Sequence, residues 1–336
     1  MHERGLTGFV RIRKLTLDRY DIMAVISAKF VIGVPVFNEE AHIERTLSSI
    51  IATVGDEVPV VVSDNGSTDR TREIVSEFSA RHPSVHIVVN ADGRLASNFL
   101  NCLSNSESEY FCWISGHDMI CGSFWSEALS LLDSNPSLVW VYGSCNVVDV
   151  DGLPMATKAA PDSDIDTVGL RDPEAMAKLL DIRSGMFIHG IFRRSVFVEC
   201  PFAGGWAGDR CVIAYACFRG EVRWLKKVAV VRRVQRSGGG GETLEERDRR
   251  YREWGLLEYE DAGLEPKYYM RLKLFKIYYG ERRGFSRPRD FLRVYRILFG
   301  SFFNGSWIRV ARDLRKVTEV ESGFPRIGGM PAKKAG

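Results

Sequence analysis

Residues 30–72 read FVIGVPVFNEEAHIERTLSSIIATVGDEVPVVVSDNGSTDRTR, and this stretch decides the fold. The apolar run at 30–36 predicts a buried strand, and the apolar residues after it recur at helical spacing as far as Val54. A valine-rich run at 58–62 predicts the next strand. Two strands joined by one helix form a βαβ unit, so we expect both strands to lie parallel in one sheet.

The same alternation continues along the chain. It predicts further strands at 85–89, 110–114, 138–142, 186–192, 222–225 and 228–234, and further helices around 74–78, 95–103, 124–132, 174–180 and 209–218. This order predicts an α/β fold with a mostly parallel sheet flanked by helices. In such sheets ligands bind at the carboxyl ends of the strands, so functional residues are expected in the loops there.

The composition is that of a soluble globular protein, with 45% hydrophobic and 26% charged residues in a chain of 336. The seven cysteines are odd in number and include no C-x-x-C pair, which argues against a disulfide framework and a zinc knuckle and favours a reducing cytoplasm. No stretch supplies the ~20 apolar residues of a spanning helix. The first 22 residues lack the apolar block of a secretory signal.

The C-terminal region is basic, although the net charge of the whole chain is +3. Residues 267–316 carry 14 Lys or Arg against 3 Asp or Glu, and residues 266–316 are predicted to be helical. One predicted helix face is apolar and the other basic: Phe291, Leu292, Tyr295, Leu298 and Phe299 against Arg289, Arg293 and Arg296. Either this region lies on an anionic membrane surface, or its apolar face packs on the rest of the protein. We expect no nucleic-acid partner, because no known nucleic-acid module accompanies the charge.

The loop after the first strand reads VPVFNEE at 34–40. Asn38 is suited to cap the following helix, and Glu39 and Glu40 suit its positive end. A helix start does not account for Pro35 and Phe37, and an aromatic ring at this place suits the face of a nucleobase.

The loop after the second strand reads VVVSDNGSTDRT at 60–71. Asn65 and Gly66 predict a tight turn, and Asp69 predicts a helix start. Asp64 has two interpretations. It is either a structural residue at the end of a buried strand or an acceptor for the ring N–H of uracil, thymine or guanine.

Together, VIGVPVFNEEAHIERTLSSI and VVVSDNGSTDRTREIV resemble the opening of glycosyltransferase family 2, and the resemblance continues from about residue 30 to residue 225. That family is a large inverting group with the GT-A nucleotide-diphospho-sugar fold. The resemblance implies that Pro35, Phe37, Glu39 and Asp64 form the nucleoside pocket, with Asp64 reading the base edge. UDP is the first choice of nucleotide because Phe37 and Asp64 suit uracil, while GDP and dTDP stay open.

The stretch after the third predicted strand resembles a donor-binding element of the family. NADGRLASNFLNCL at 90–103 is similar to a turn and helix that approach the donor, which implies Gly93, Arg94 and Asn98 as contacts. Arg94 suits a diphosphate, and it equally suits an exposed place in the first turn of a helix.

The stretch WISGHDMI at 113–120 is similar to the family's Asp-x-Asp cluster, which holds Mn²⁺ or Mg²⁺ against the donor diphosphate. The resemblance implies Asp118 as the metal ligand. Ser115, Gly116 and His117 replace positions that are commonly acidic or polar. An imidazole from His117 would bias the site toward Mn²⁺ over Mg²⁺. The alternative is a plain turn.

IHGIFRRSVF at 188–197, followed by the segment from residue 201 onward, resembles the acceptor half of these enzymes, where an acidic residue at a helix start acts as the general base. Asp209 matches that position, and its alternative role is to stabilise the helix dipole. A polar residue late in the fold often reaches back to the diphosphate. Here Gln235 stands near that place, with Arg232, Arg233 and Arg236 around it.

The resemblance implies an inverting glycosyltransferase of polysaccharide or cell-envelope glycan synthesis, with a nucleotide-sugar donor and a glycan or lipid-linked acceptor. We expect it in the cytoplasm, peripheral at the inner face of the plasma membrane. Four segments are predicted: an N-terminal extension at 1–28, a nucleotide-sugar-binding half at 29–150, an acceptor-binding half at 151–236, and a glycine-rich linker with a basic helical region at 237–336.

Two other functions stay open at this point. A sugar nucleotidyltransferase would also bind a nucleotide and a metal, but its glycine-rich loop with Arg or Lys is missing after the first strand. A non-catalytic nucleotide-sugar-binding protein is suggested by the thinned acidic cluster around Asp118.

Overall fold

The strands of this protein join one mixed sheet. The computed structural model describes residues 11–13, 25–91, 93, 95–149, 151–155, 165–170, 172–180, 188–198, 200, 208–233, 249, 258–281, 288–300 and 307–321. The strands within these residues are β1 Arg11–Arg13, β2 Val25–Val36, β3 Val60–Asp64, β4 Val85–Val89, β5 Ser106–Trp113, β6 Met119–Ile120, β7 Leu138–Val148, β8 Ile191–Arg193 and β9 Glu221–Arg233. The sheet order is β4-β3-β2-β5-β8-β7-β9-β6, with β1 antiparallel to β2.

The helices of the same residues confirm the predicted α/β fold with a helical C-terminal region. They are α1 Ile43–Val54, α2 Thr71–Arg81, α3 Leu95–Ser104, α4 Phe124–Ser134, α5 Asp172–Leu180, α6 Arg194–Val198, α7 Gly208–Arg219, α8 Glu258–Asp261, α9 Pro266–Glu281, α10 Pro288–Phe299 and α11 Trp307–Glu321. Among the residues described, no helix has both the length and the apolar character needed to cross a bilayer.

Four neighbouring strands, β4, β3, β2 and β5, run parallel and form the first half of the sheet. Their register sets Val36 beside Asp64 and Asp64 beside Val89, so β2, β3 and β4 end at one edge. That edge is the carboxyl edge on which the predicted ligand loops converge.

Two clusters of buried side chains form the core. Side chains alternate along β2, so that Ile32 and Val34 belong to one cluster with α1, α2 and α4, while Val31 belongs to the other with α7 and the C-terminal helices. Full burial of one large apolar side chain contributes roughly 1.5–3 kcal/mol. The sheet is therefore covered on both faces, as its continuous apolar strands require.

The second half of the sheet differs from prediction in two places. The predicted strand at 186–192 is wrong in its bounds, because 188–190 form a turn and the strand is β8. β8 is short and antiparallel to both β5 and β7. Gly190 precedes it, and a Cβ there would meet the Val141 carbonyl oxygen at 2.6 Å, so the chain passes too close to β7 for a side chain.

The two strands predicted at 222–225 and 228–234 are in fact one strand, β9. β9 pairs parallel with β7, and the register jumps from Leu225 to Val228. Lys226 and Lys227 lie in that bulge with exposed side chains. Two charged residues interrupted the apolar pattern without interrupting the pairing, because a β-bulge accommodates extra residues within a strand.

The C-terminal helices pack on one another through aromatic side chains, and they reach the body of the protein where the ring centroid of Tyr278 on α9 lies 5.2 Å from that of Phe218 on α7. The ring centroid of Phe275 on α9 lies 5.5–6.0 Å from those of Phe291, Tyr295, Phe299 and Trp307. The apolar face predicted for α10 therefore packs inward, with one exception: Leu292 is 53% exposed. The basic face, Arg289, Arg293 and Arg296, is exposed as predicted.

Candidate active site

The loops after β2 and β3 are joined by hydrogen bonds. The backbone N–H of Asn38 donates to Ser67 Oγ at 3.0 Å, and Thr68 N–H donates to Asn38 Oδ1 at 2.8 Å. Asn38 has a φ of 54°, in the left-handed region that Asn tolerates. The prediction that Asn38 caps α1 is wrong, because its side chain is turned to the second loop and His42 occupies the N-cap position.

The two residues that a helix start did not explain lie at this edge. Pro35 is within β2, paired in register with Ser63. Phe37 follows directly, and its side chain is 53% exposed. A large aromatic ring that is exposed to solvent beside a strand end is available to stack on a planar ligand.

The carboxylate of Asp64 is fully buried at the end of β3. It accepts backbone N–H groups from Gly66 at 3.2 Å and Ser67 at 3.2 Å, and Arg72 Nε lies 3.0 Å away. Asp64 thus organises its own loop, which is a structural role. A carboxylate offers about four acceptor positions, so it retains capacity for one further donor.

Asn98 on α3 holds the ends of two neighbouring strands together. Its Oδ1 accepts the hydroxyl of Ser63 at 2.6 Å, and its Nδ2 donates to the Val36 carbonyl at 3.2 Å, so it fastens the ends of β2 and β3. Gly93 lies in the preceding turn with a φ of 72°. Arg94 lies outside the described residues.

Glu39, His117 and Asp118 form a chain of contacts at the same edge. His117 Nδ1 lies 2.7 Å from Glu39 Oε1, and His117 Nε2 lies 3.9 Å from Asp118 Oδ1. Burial alone lowers the pKa of His117, but the hydrogen bond to Glu39 and the charges of Asp118 and Glu39 outweigh it and raise the pKa above its usual value. Glu39 therefore orients His117 toward Asp118.

A second histidine, His189, also faces Asp118, and no sequence motif predicted it as a site residue. It lies in the turn before β8, its Nδ1 is 2.8 Å from the Trp113 carbonyl oxygen, and its Nε2 is 3.6 Å from Asp118 Oδ2. Burial lowers the pKa of His189, against the opposing charge of Asp118. One signal was present: no other histidine occurs after residue 117.

The carboxyl end of β9 completes this group. The backbone N–H of Arg233 donates to Asp118 Oδ1 at 2.8 Å, and its guanidinium donates to the Asp149 carbonyl at 3.2 Å. Arg232 is exposed, and as a lesser cause than burial its charge lowers the pKa of both histidines. Gln235 and Arg236 lie outside the described residues.

The donor atoms around Asp118 suit a divalent cation in part. Within the portion of the chain described, no three His, Cys, Asp or Glu side chains form a complete metal site. Asp118 and an imidazole nitrogen would supply two ligands, and a diphosphate and water could supply the others, because hard cations accept several oxygen ligands of that kind.

Asp209 is the second residue of α7. Its side chain lies outside the described residues, so its approach to the site of Asp118 stays a prediction.

Three comparisons with known proteins bear on this arrangement. The sequence model of glycosyl transferase family 2 matches residues 31–197. Protein Rv1520 of Mycobacterium tuberculosis is 28% identical over 125 residues, which are 34% of this chain and 35% of that protein. Glycosyltransferase GlyA of Streptococcus pneumoniae is 28% identical over 96 residues, which are 29% of this chain and 14% of that protein. The match thus spans about a third or less of these relatives.

The fold has a solved counterpart. The crystal structure of S. aureus TarS 1–349 in complex with UDP-GlcNAc superposes with a TM-score of 0.54 at 16% identity, covering 88% of this chain and 90% of that chain. At this identity the likeness concerns the fold, and it confirms the expected GT-A type architecture. Residues 31–197, which hold the strand-end loops and both histidines, therefore form a glycosyltransferase family 2 domain.

Proposed function

We propose that this protein is a glycosyltransferase that moves a sugar from a nucleotide-diphospho-sugar to a hydroxyl acceptor with inversion. One observation carries the proposal: the carboxyl edge of the parallel strands gathers Phe37, Asp64 and Asp118 from three separate loops. These supply an aromatic face, a base-edge acceptor and a cation ligand, in the order in which a nucleotide-sugar presents base and diphosphate.

The nucleoside is placed by the first two loops. Phe37 stacks on the base, and Asp64 accepts the ring N–H through its remaining acceptor capacity. A ring N–H adds a hydrogen bond to this carboxylate that a base without the N–H cannot make, so a base that carries the N–H is preferred. We propose UDP as the nucleotide, which agrees with the UDP-GlcNAc named for the S. aureus relative.

The diphosphate is placed by Asp118 and Arg232. Asp118, with an imidazole beside it, would hold a divalent cation that neutralises the charge of the departing diphosphate. Arg232 is exposed at the end of β9 and adds a positive charge near the diphosphate. After burial, the same charge also acts to lower the pKa of both His117 and His189.

Asp209 is proposed as the general base. The acceptor oxygen forms a bond to the anomeric carbon while the bond from that carbon to the diphosphate oxygen breaks. The hydroxyl proton passes to the Asp209 carboxylate, and the nucleoside diphosphate leaves. A single displacement inverts the anomeric centre.

Thermal unfolding with a panel of nucleotide sugars, with and without Mn²⁺, tests the donor. UDP-sugars are expected to raise the melting temperature, because a ligand that binds the native state stabilises it. Stabilisation by none of the panel would contradict the proposal. Release of pyrophosphate from UTP and a sugar-1-phosphate would instead favour a nucleotidyltransferase.

Asp209→Asn tests the base. Donor-induced stabilisation is expected to persist, while transfer to an acceptor panel of glycans and lipid-linked sugars falls by about 10²–10⁴-fold. Unchanged transfer would remove Asp209 from the mechanism, and donor binding without transfer by the wild-type protein would favour a non-catalytic binder.

We also propose that the C-terminal helices contact the inner, anionic face of the plasma membrane, which would bring the site to a polysaccharide or lipid-linked acceptor. Because the apolar face of α10 packs inward, the contact must come from other residues. Trp307 and Ile308 are 49% and 83% exposed at the start of α11, next to the exposed cations Arg309 and Arg312. Aromatic and aliphatic side chains flanked by arginine suit an anionic bilayer surface.

Vesicle flotation with phosphatidylserine tests this contact at low and high salt. The full chain is expected to float with the vesicles at low salt. Ile308→Ser is expected to weaken binding more than the matched control Leu153→Ser, because Leu153 is also an exposed aliphatic residue, at 63% exposure, but lies outside the C-terminal helices. Each arginine removed is expected to cost roughly 1 kcal/mol of binding. Absence from the lipid fraction at every salt concentration would contradict the proposal.

A further inference from the structure

We propose that His189 is a direct ligand, through Nε2 and together with Asp118 Oδ2, of the divalent cation that neutralises the donor diphosphate. This inference rests on the proposed function. It assigns the protein's share of the site to one carboxylate and one imidazole, and it places the imidazole on His189, whereas the sequence motif suggested His117.

The first argument is the hydrogen-bonding of the imidazole. A carbonyl oxygen accepts and cannot donate, so the Nδ1 atom that lies 2.8 Å from the Trp113 carbonyl must carry the hydrogen. In the neutral ring Nε2 then has a free lone pair. Metal-bound histidines commonly donate their other N–H to a carbonyl or a carboxylate in this way.

The second argument is where that lone pair points. Nε2 lies 3.6 Å from Asp118 Oδ2, beyond hydrogen-bond reach, and both side chains are buried at 8% and 1% exposure. Among the described residues no hydrogen-bond donor reaches Oδ2. A carboxylate oxygen and an imidazole lone pair that face each other in a buried place are stabilised by a positive charge between them, which a bound cation supplies. Two coordination bonds of ~2.1 Å span up to ~4.2 Å, so one cation can bind both atoms.

The third argument separates His189 from His117. His117 Nε2 faces the other oxygen, Oδ1, at 3.9 Å, and Oδ1 already accepts the Arg233 N–H at 2.8 Å. Oδ1 is thereby committed to holding the Asp118 side chain in place. We assign His117 a positioning role on the Glu39 side, and His189 the role of ligand.

An imidazole ligand has a chemical consequence. Nitrogen ligands favour Mn²⁺ over Mg²⁺, which prefers oxygen. The bias toward Mn²⁺ expected of His117 is therefore transferred to His189.

Pulsed electron paramagnetic resonance of the full chain with Mn²⁺ and UDP tests the assignment, because a directly bound nitrogen modulates the Mn²⁺ spin echo. We expect this nitrogen modulation in the wild-type protein, its loss in His189→Gln, and its retention in the matched control His117→Gln. Mn²⁺ affinity is expected to fall roughly tenfold or more in His189→Gln.

Modulation that survives in His189→Gln, or that is absent from wild-type protein with Mn²⁺ bound, would overturn the inference. If His189→Gln does not fold, His117→Gln decides alone: loss of the modulation there would identify His117 as the ligand and overturn the assignment to His189. Sugar transfer and donor-induced stabilisation measured on the same samples separate the two proposals. A negative resonance result with transfer intact refutes the His189 ligand and leaves the glycosyltransferase standing.

Discussion

Gly116 gives a physical reason why residues 113–120 contain only one acidic residue, Asp118. A Cβ at this position would lie 2.8 Å from Val36 Cγ1 and 3.0 Å from Glu39 Cγ. A carboxylate at 116 would therefore displace Glu39, whose own carboxylate orients His117. Residue 116 therefore fits closely against β2 as a glycine, and two histidines, His117 and His189, lie beside Asp118.

The first prediction concerns that close fit. Gly116→Ala is expected to lower the free energy of unfolding by about 1–3 kcal/mol, because an added methyl group forces neighbouring groups to shift. The matched control is Gly280→Ala in α9, where a Cβ meets nothing within 4 Å. The control is expected to be neutral or to stabilise by up to about 1 kcal/mol, since Ala is the better helix former. Equal urea midpoints for the two variants would contradict the steric argument.

At the scale of elements, one ionic contact joins the parallel strands to α4. Asp133 on α4 accepts Lys29 Nζ from β2 at 2.7 Å and the Tyr110 hydroxyl from β5 at 2.8 Å. Burial by itself raises the pKa of Asp133, but the hydrogen bonds from Lys29 and Tyr110 outweigh it, and the pKa lies below its usual value.

A depressed pKa makes this contact dependent on pH. The charged carboxylate contributes stability above the unfolded-state pKa of about 3.9, and the contribution is lost as pH falls through the lower folded-state pKa. The difference in free energy of unfolding between wild type and Asp133→Asn is therefore expected to shrink between about pH 5 and pH 3. Lys29→Met, which removes one donor, is expected to reduce this pH dependence in part. A difference that stays constant over the range would show that the pKa of Asp133 is the same in the folded and unfolded states.

Phe275 is the central side chain of the C-terminal aromatic cluster, and it is 1% exposed. Phe275→Ala is expected to lower the free energy of unfolding by about 3–5 kcal/mol, because it leaves a cavity among four other rings. Leu292→Ala on α10 is the control, since that residue is 53% exposed and a surface truncation costs within about 0.5 kcal/mol. Urea unfolding measures both. A loss below about 1 kcal/mol for Phe275→Ala would mean that these helices add little to the fold.

At the scale of the whole molecule, the sequence predicted what is periodic and local. Continuous apolar runs located β2 to β5 and β7, and the shared carboxyl edge followed from their order. It failed where tertiary contacts override the local pattern: two exposed lysines concealed the continuity of β9, and Asn38 turned to a neighbouring loop. His189 was not predicted, because its partners, Trp113 and Asp118, lie more than 70 residues away in the sequence.

The strands of both predicted halves share one sheet, since β8 lies between β5 and β7. This arrangement predicts that the sheet opens as one unit, which the rate of thiol labelling can measure.

All seven cysteines are free thiols. Five of them are buried, and the other two, Cys121 and Cys145, are half-buried. Burial raises the pKa of Cys102 and Cys217 to about 12, so the reactive thiolate is scarce at neutral pH.

Reaction with Ellman's reagent at pH 8 is therefore expected to label at most the two half-buried thiols quickly, and all seven in denaturant. The double variant Cys121→Ser/Cys145→Ser is the control and should show no fast phase. In native buffer Cys112 on β5 and Cys211 on α7 are expected to react at one slow rate, because a cooperative unit exposes both halves together. Clearly different rates for these two thiols, identified by mass spectrometry, would show that the nucleotide-sugar half and the acceptor half open separately despite their common sheet.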